Sequence, residues 1–366
     1  MKTYIKFLVI NFLKSLIFVS SIIYILIFIL NILTEFEFFR DIDVEYYFPI
    51  YLSFINSPSL LFEMFPFIFL ISSQTCFINL MKNDQIQTLK YSGLKNSKIL
   101  IIISLLTFII GIAIVSIFYN ASSNLKNFYL ELKSNYTSDG KYLAVITNNG
   151  LWIKDEVDEN IYIINASKIE NNFLIDAFIT EFDKNFSVKR NISSSQINIS
   201  NKDWIIFNPN IIYNNSYQTK EKIYLKTNFN YKRIQTLYSN LSSLNFYQLY
   251  ELRKNYIKLN YSITEINLQI LKLISFPIYL LLLTIFSAII MLKFKNLDGN
   301  TSKIATGLFF SVIIYYFYNF SLVLGSTERI PEAASVFFPL IIMTIVNSTM
   351  IYKINEKWKI KLLKLF

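Results

Sequence analysis

Along this chain apolar and polar residues separate into long blocks and one differently patterned middle region. Six stretches of 18 or more residues, 15–34, 64–81, 99–125, 273–292, 304–327 and 333–352, contain no Asp, Glu, Lys or Arg. As helices, each is long enough to cross the hydrocarbon core of a bilayer. Between the third and fourth, the pattern changes to short runs rich in Ile, Val, Tyr, Phe and Thr: "KYLAVIT", "GLWIKD", "NIYIINASKI", "FLIDAFITEFD", "FSVKRNI", "SQINIS", "DWIIFNP" and "KIYLKTNF". Their partial period-two alternation, broken by Asn, Ser, Asp and Gly clusters, predicts an all-β sandwich or jellyroll rather than βαβ units. "FYQLYELRKNYIKLNYSITEINLQILKLI" then returns to helical spacing, with Phe246, Leu249, Leu252, Ile257, Leu268 and Leu271 as apolar positions. The fold class that follows is an α-helical polytopic membrane protein with an inserted jellyroll-like β domain. Its divisions are spans one to three over 1–125, the β domain over 126–245, a connecting helix over 246–267 and spans four to six over 268–366.

Charge orients these elements. Lys2, Lys6 and Lys14 precede span one, and Lys82, Lys90, Lys95 and Lys98 lie between spans two and three. Lys293, Lys295 and Lys303 lie between four and five, and Lys353, Lys357, Lys359, Lys361 and Lys364 follow six. The opposite first loop carries Glu35, Glu37, Asp41, Asp43 and Glu45 against Arg40 alone. The positive-inside rule therefore predicts both termini in the cytoplasm and the β domain outside it. A net charge of +10 would point to nucleic acid in a soluble protein, but here much of the excess sits at membrane edges, where it meets anionic lipid. The first apolar run, behind Lys2 and Lys6, is longer than a signal-peptide core and lacks a small-residue cleavage site, which predicts a retained helix.

Composition also narrows the chemistry. The chain has no histidine, which excludes His-based acid–base catalysis and His metal ligands, and its one cysteine, Cys76, precludes an intrachain disulfide. No cofactor or metal site is predicted. Triplets such as Asn135-Tyr136-Thr137, Asn165-Ala166-Ser167 and Asn198-Ile199-Ser200 match the glycosylation pattern, but chance accounts for them in so Asn-rich a chain.

Between spans two and three lies "KNDQIQTLKYSGLKNSKIL". Asn83 or Asp84 is placed to cap a short helix within 82–97, Ile86 and Leu89 share one of its faces, and Gly93 can end it in the left-handed conformation. Taken alone, such a helix is a solvated or lipid-facing connector.

Six spans with one large extracytoplasmic β domain between the third and fourth resemble the lipopolysaccharide export permeases LptF and LptG, over essentially the whole chain. "FEMFPFIFLISSQTCFINLMKNDQIQTLKYSGL" looks like the family's Phe-Pro-containing second helix, polar connector and Ser-Gly helix end. "NNGLWIKD" is similar to a strand signature typical of LptG, and "RIPEAASVFFP" looks like the Ile-Pro turn leading into the last helix. The resemblance implies a subunit that pairs with the sister permease LptF, sits on a dimer of the ATPase LptB and associates with LptC. Together these would extract lipopolysaccharide from the inner membrane and pass it to a periplasmic bridge. The chain carries no Gly-X4-Gly-Lys-Ser/Thr loop, in keeping with energy drawn from a partner.

On this resemblance the 82–97 segment is a coupling helix, with Asp84, Gln85, Ile86, Leu89 and Gly93 as its coupling residues. The sequence departs from the family here, since the usual acidic position falls on Gln85, beside Asp84. Arg40 is the candidate for lipid phosphate at the outer end of span one, because a guanidinium suits a phosphate. Within the β domain, Leu143, Val145, Trp152, Tyr162 and Ile164 are predicted to point inward, as core or as lining of a lipid slot, with Trp152 the lipid contact. The Phe- and Ile-rich spans one, two and five are the candidate chamber walls.

Three other readings compete. The sister subunit LptF differs from LptG by few motifs. A permease of the mechanotransmission kind typically has four spans with its ectodomain after the first. A membrane sensor or envelope glycan enzyme would use carboxylates such as Glu35, Glu37, Asp41 and Asp43.

Overall fold

The computed structural model describes the chain except residues 1–2, 83, 135, 137–150, 171, 185, 214–215, 232–233, 235–239, 259–260, 294–299 and 364–366. Two compact units result: Met1–Ser122 with Thr264–Phe366, and Ser123–Ile263.

Long apolar helices make up the first unit. They are α1 (Thr3–Phe38), α2 (Tyr47–Lys82), the short α3 (Gln85–Tyr91), α4 (Asn96–Ala113) and a π-helical turn over Ile114–Tyr119 that runs on into α5 (Asn120–Ser134), most of which belongs to the second unit. After the second unit follow α7 (Thr264–Lys293), α8 (Asn300–Ser326) and α9 (Glu332–Leu363), with α6 named below. Among the described residues, six helical segments are long and apolar enough to span a membrane. Helices α1 and α2 are each 36 residues, far longer than the charge-free windows within them, because an isolated ionisable residue does not stop a helix. Glu63 of α2 and Lys272 of α7 show how charge is accommodated there, since they lie within electrostatic reach of one another.

The centre of the bundle is α7, which packs on α2, α4, α8 and α9. In a membrane apolar burial gives little drive for helix association, so close backbone approach and interhelical hydrogen bonds carry the packing. Ser73 Oγ donates to the Thr284 carbonyl at 3.2 Å, Ser287 Oγ to Leu70 at 2.9 Å and Asn347 Nδ2 to Leu282 at 3.0 Å. Asn31 Nδ2 donates to the Ser53 carbonyl, and Asn56 Nδ2 to Asn31 Oδ1, joining α1 to α2. Gly111 lies against Pro277, where an added Cβ would come within 2.9 Å of the proline Cα, so α4 and α7 touch through their smallest cross-section.

Among the described residues, nine antiparallel strands form one sheet in the second unit. They are β1 (Leu151–Val157), β2 (Asn160–Ala166), β3 (Lys168–Glu170), β4 (Phe173–Phe182), β5 (Val188–Asn198), β6 (Asp203–Phe207), β7 (Asn210–Tyr213), β8 (Ser216–Thr219) and β9 (Lys222–Lys226). The main path runs β1-β2-β4-β5-β6-β9, and β5 divides its far edge between β6 and the β7–β8 hairpin. The runs read separately as "FSVKRNI" and "SQINIS" join as β5, and the β7–β8 hairpin lacks the apolar alternation that announces a strand.

The buried face of the sheet holds Leu151, Ile153, Tyr162, Ile164, Ile179, Ile192 and Ile206. Trp152 is instead 54% exposed, a correction to its inward placement. Its neighbours explain this: Leu151 pairs with Ala166 and Ile153 with Ile164, all four buried, so period two turns Trp152 to the other face. Leu143 and Val145 lie outside the described residues.

The stretch predicted as one connecting helix over 246–267 is divided. Helix α6 (Phe246–Lys258) stops, and α7 starts at Thr264. Asn245 and Gln248 bond each other's backbone N–H at 2.9 Å in both directions, a reciprocal cap that fixes the start of α6. Tyr261 then ties the chain to β1, its hydroxyl accepting from Lys154 N at 2.8 Å and donating to Lys154 O at 3.2 Å.

Candidate functional site

Helix α3 closes one end of the helical unit. Its C-terminus is a Schellman motif: Gly93 N donates to Lys90 O and Leu94 N to Leu89 O, both at 3.0 Å. Gly93 takes φ +82°, a conformation that costs an L side chain energy, and Leu94 is buried beside Leu89. The start differs from the simple cap predicted. Asp84 has φ 51° and its side chain caps no backbone N–H. Its carbonyl accepts from Gln87 N and Thr88 N, while its carboxylate accepts from Gln87 Nε2 at 3.2 Å. Asn83 lies outside the described residues.

At about 100° per residue, the sequence of α3 sorts into three faces. Ile86 and Leu89 are buried, so these two predicted coupling residues anchor the helix to the bundle instead of presenting it. The second face points outward and carries Gln87 and Tyr91, the latter 88% exposed, with Asp84 just before the helix. Gln85, Thr88 and Ser92 form the third, lining a cleft of about 650 Å3 against the start of α1 and the start of α4. The structure thus groups Asp84 with the outward face and separates Gln85 from it. Tyr91 was missed by sequence reasoning; an aromatic on the polar side of a short helix is the signal that marks it.

Arg40 stands exposed in the turn after α1, with its N–H on the Glu37 carbonyl. Of the carboxylates weighed for an enzyme, Glu35 is buried in α1 while Glu37, Asp41 and Asp43 are exposed, so they form no common pocket with it. No cluster of His, Cys, Asp or Glu suited to a metal occurs among the described residues.

The apolar surface is unevenly distributed. Helix α1 exposes Ile17, Phe18, Ile22, Leu26, Leu30 and Leu33, and α8 exposes Phe309, Ile313, Tyr316, Phe320 and Val323. In contrast, α7 is buried over most of its apolar length. Such faces are suited to lipid tails or to apolar helices of another chain.

Two comparisons with known proteins bear on this geometry. No curated protein matches the chain. A family model described as lipopolysaccharide export system permease LptF/LptG matches residues 6–353, which takes in all six apolar helices and the inserted sheet. The chain is therefore a multi-pass membrane protein and a transporter component: it belongs to the LptF/LptG family of lipopolysaccharide export permeases.

Proposed function

We propose that this chain is the LptG-type permease of an ATP-driven lipopolysaccharide exporter in the bacterial inner membrane. Its termini and α3 lie in the cytoplasm and the sheet in the periplasm. The assignment to LptG rests on "GLWIKD", the first strand of the sheet, and the orientation on the lysines flanking the spans. Partners in this reading are the sister permease LptF, a dimer of the ATPase LptB, and LptC.

The observation that carries the energy-coupling part is the outward face of α3. A seven-residue helix fastened by two buried side chains and a Schellman turn moves with the bundle as a rigid peg. Tyr91, Gln87 and Asp84 are then the groups that meet a groove of the ATPase, so closure of the ATPase dimer pushes on α2 and α4 through α3. Gly93 contributes by setting the turn, and Gln85 stands beside the contact.

Lipid enters between the apolar faces of α1 and α8 and the sister permease, with Arg40 at phosphate level. Acyl chains continue into the sheet on the side of Leu151, Ile153 and Ile164; Trp152 on the opposite face becomes an exterior contact.

Co-purification of the tagged chain from detergent extracts tests this. The wild type should bring down a second six-span permease, a small ATPase and lipopolysaccharide, and the Asp84→Ala, Tyr91→Ala double variant should lose the ATPase while keeping the permease. An ATPase retained by the variant removes α3 from the coupling site; its absence from both samples overturns the exporter.

A further inference from the structure

The cleft on the third face of α3 is distinct from the outward face and has a composition of its own. Its lining is apolar at Phe7, Leu89 and Leu94 and polar at Tyr4, Thr88 and Lys98. No Asp or Glu is among its lining residues, and Asp84 lines a separate hollow on the other flank of α3. Lys98 Nζ stands 5.8 Å from the Tyr4 ring centroid and has no carboxylate partner among the described residues. Lys6 on α1 and Lys95 just before α4 are exposed as well.

Depth fixes what such a cleft meets. Lys98 is the last charged residue before the apolar run of span three begins at Ile99, so the opening lies at the membrane boundary. A ligand there needs an anion at the boundary and an apolar part directed along α1 and α4. About 650 Å3 is within the range of small-molecule sites and holds a headgroup with its glycerol.

We propose that this cleft binds the headgroup of an anionic phospholipid of the same leaflet. Lys98 pairs with the phosphate, Tyr4 provides a hydroxyl, and the acyl chains leave past Phe7. A bound lipid braces α3 against α1, so the seating of the helix depends on leaflet composition. The proposal stands without the transport reading, since it needs only the cleft and its position.

Native mass spectrometry of the delipidated full-length chain, titrated with dioleoyl phosphatidylglycerol or dioleoyl phosphatidylcholine, tests it. The anionic lipid should be retained preferentially. A lysine near the surface accounts for roughly fivefold in affinity, so Lys98→Glu should weaken phosphatidylglycerol by at least about that factor and leave phosphatidylcholine unchanged. Thr88→Glu, at an exposed residue of the same cleft, should reproduce the loss and guards against a folding defect in the first variant. Equal retention of the two lipids, an unaffected preference in both variants, or displacement by millimolar glycerol 3-phosphate would overturn it, the last by identifying a soluble phosphate as the ligand. A photoreactive residue at position 88 in native membranes should label lipid; a protein adduct would show that a partner chain fills the cleft and would equally refute the proposal.

Discussion

Gly307 of α8 meets Gln74 of α2 where two spans approach most closely, and its replacement by alanine has a sign that can be worked out beforehand. In an unobstructed helix, Gly→Ala stabilises by roughly 0.5–1 kcal/mol, because alanine loses less backbone freedom on folding. Here the new Cβ would lie 1.8 Å from Gln74 Nε2, 2.7 Å from Cδ and 3.2 Å from Oε1. Gln74 is fully buried and both ends of its carboxamide lack a hydrogen-bond partner, so the amide has to shift within the protein interior before a methyl fits. Overpacking of this kind costs about 1–3 kcal/mol, which exceeds the propensity gain and makes Gly307→Ala destabilising. Gln74→Ala removes the obstructing atoms together with an unpartnered buried amide, whose burial itself costs about 1–3 kcal/mol. The Gly307→Ala, Gln74→Ala double variant should therefore be more stable than the sum of the single changes by about 1–3 kcal/mol. Thermal unfolding of the purified full-length protein in detergent, followed by size-exclusion chromatography of the surviving fraction, measures all four corners of the cycle. A Gly307→Ala variant as stable as wild type, or an additive double variant, would refute the close approach of α8 to α2.

Two further expectations concern the sheet unit. Asp155 is fully buried and accepts from the backbone N–H and the Nδ2 of Asn228, each at 2.9 Å, fastening β1 to the segment after β9. Asp155→Ala should cost about 1–3 kcal/mol by removing the acceptor of both bonds, with Asn228 Nδ2 keeping the Glu156 carbonyl, and Asp155→Asn less; urea unfolding of the sheet, followed by tryptophan fluorescence, reads the difference. Burial raises the Tyr261 phenol above its ordinary value of 10.0, with hydrogen bonding to the Lys154 backbone opposing the shift in part. The raised folded value means that its contribution is fully present below about pH 10 and is lost as pH rises through the folded pKa. Tyr261→Phe should flatten the alkaline limb of a stability–pH curve above about pH 10 without changing the acid limb; an unaltered alkaline limb refutes the assignment.

The spans were legible because a bilayer imposes a length on uncharged sequence, whereas the helices were not, because the rule that finds a span stops at a charge and the backbone does not. Met64 opens the second window only because Glu63 precedes it, yet α2 begins at Tyr47, and Glu63 is tolerated opposite Lys272 of α7. Their electrostatic reach crosses between helices far apart in sequence and has no local signature. The same limit operates in the sheet. "GLWIKD" announces a strand, but three consecutive apolar residues leave its phase open, and tryptophan's size favours the wrong choice. Partner strand β2 decides the phase, by setting Ala166 and Ile164 against Leu151 and Ile153.

At α3 the apolar pair Ile86 and Leu89 and the terminal glycine specify a short anchored helix, and the anchor is what local sequence can encode. Which residues remain outward is a consequence of where α1 and α4 stand. They leave Tyr91 and Asp84 exposed and take Gln85 to one flank with Thr88 and Ser92. A connector with one side for the bundle, one facing outward and one facing a basic cleft at the membrane boundary can respond separately to a protein and to a lipid. Substitutions at Tyr91 and at Lys98 should accordingly be separable in their effects, although both act on the same seven-residue helix.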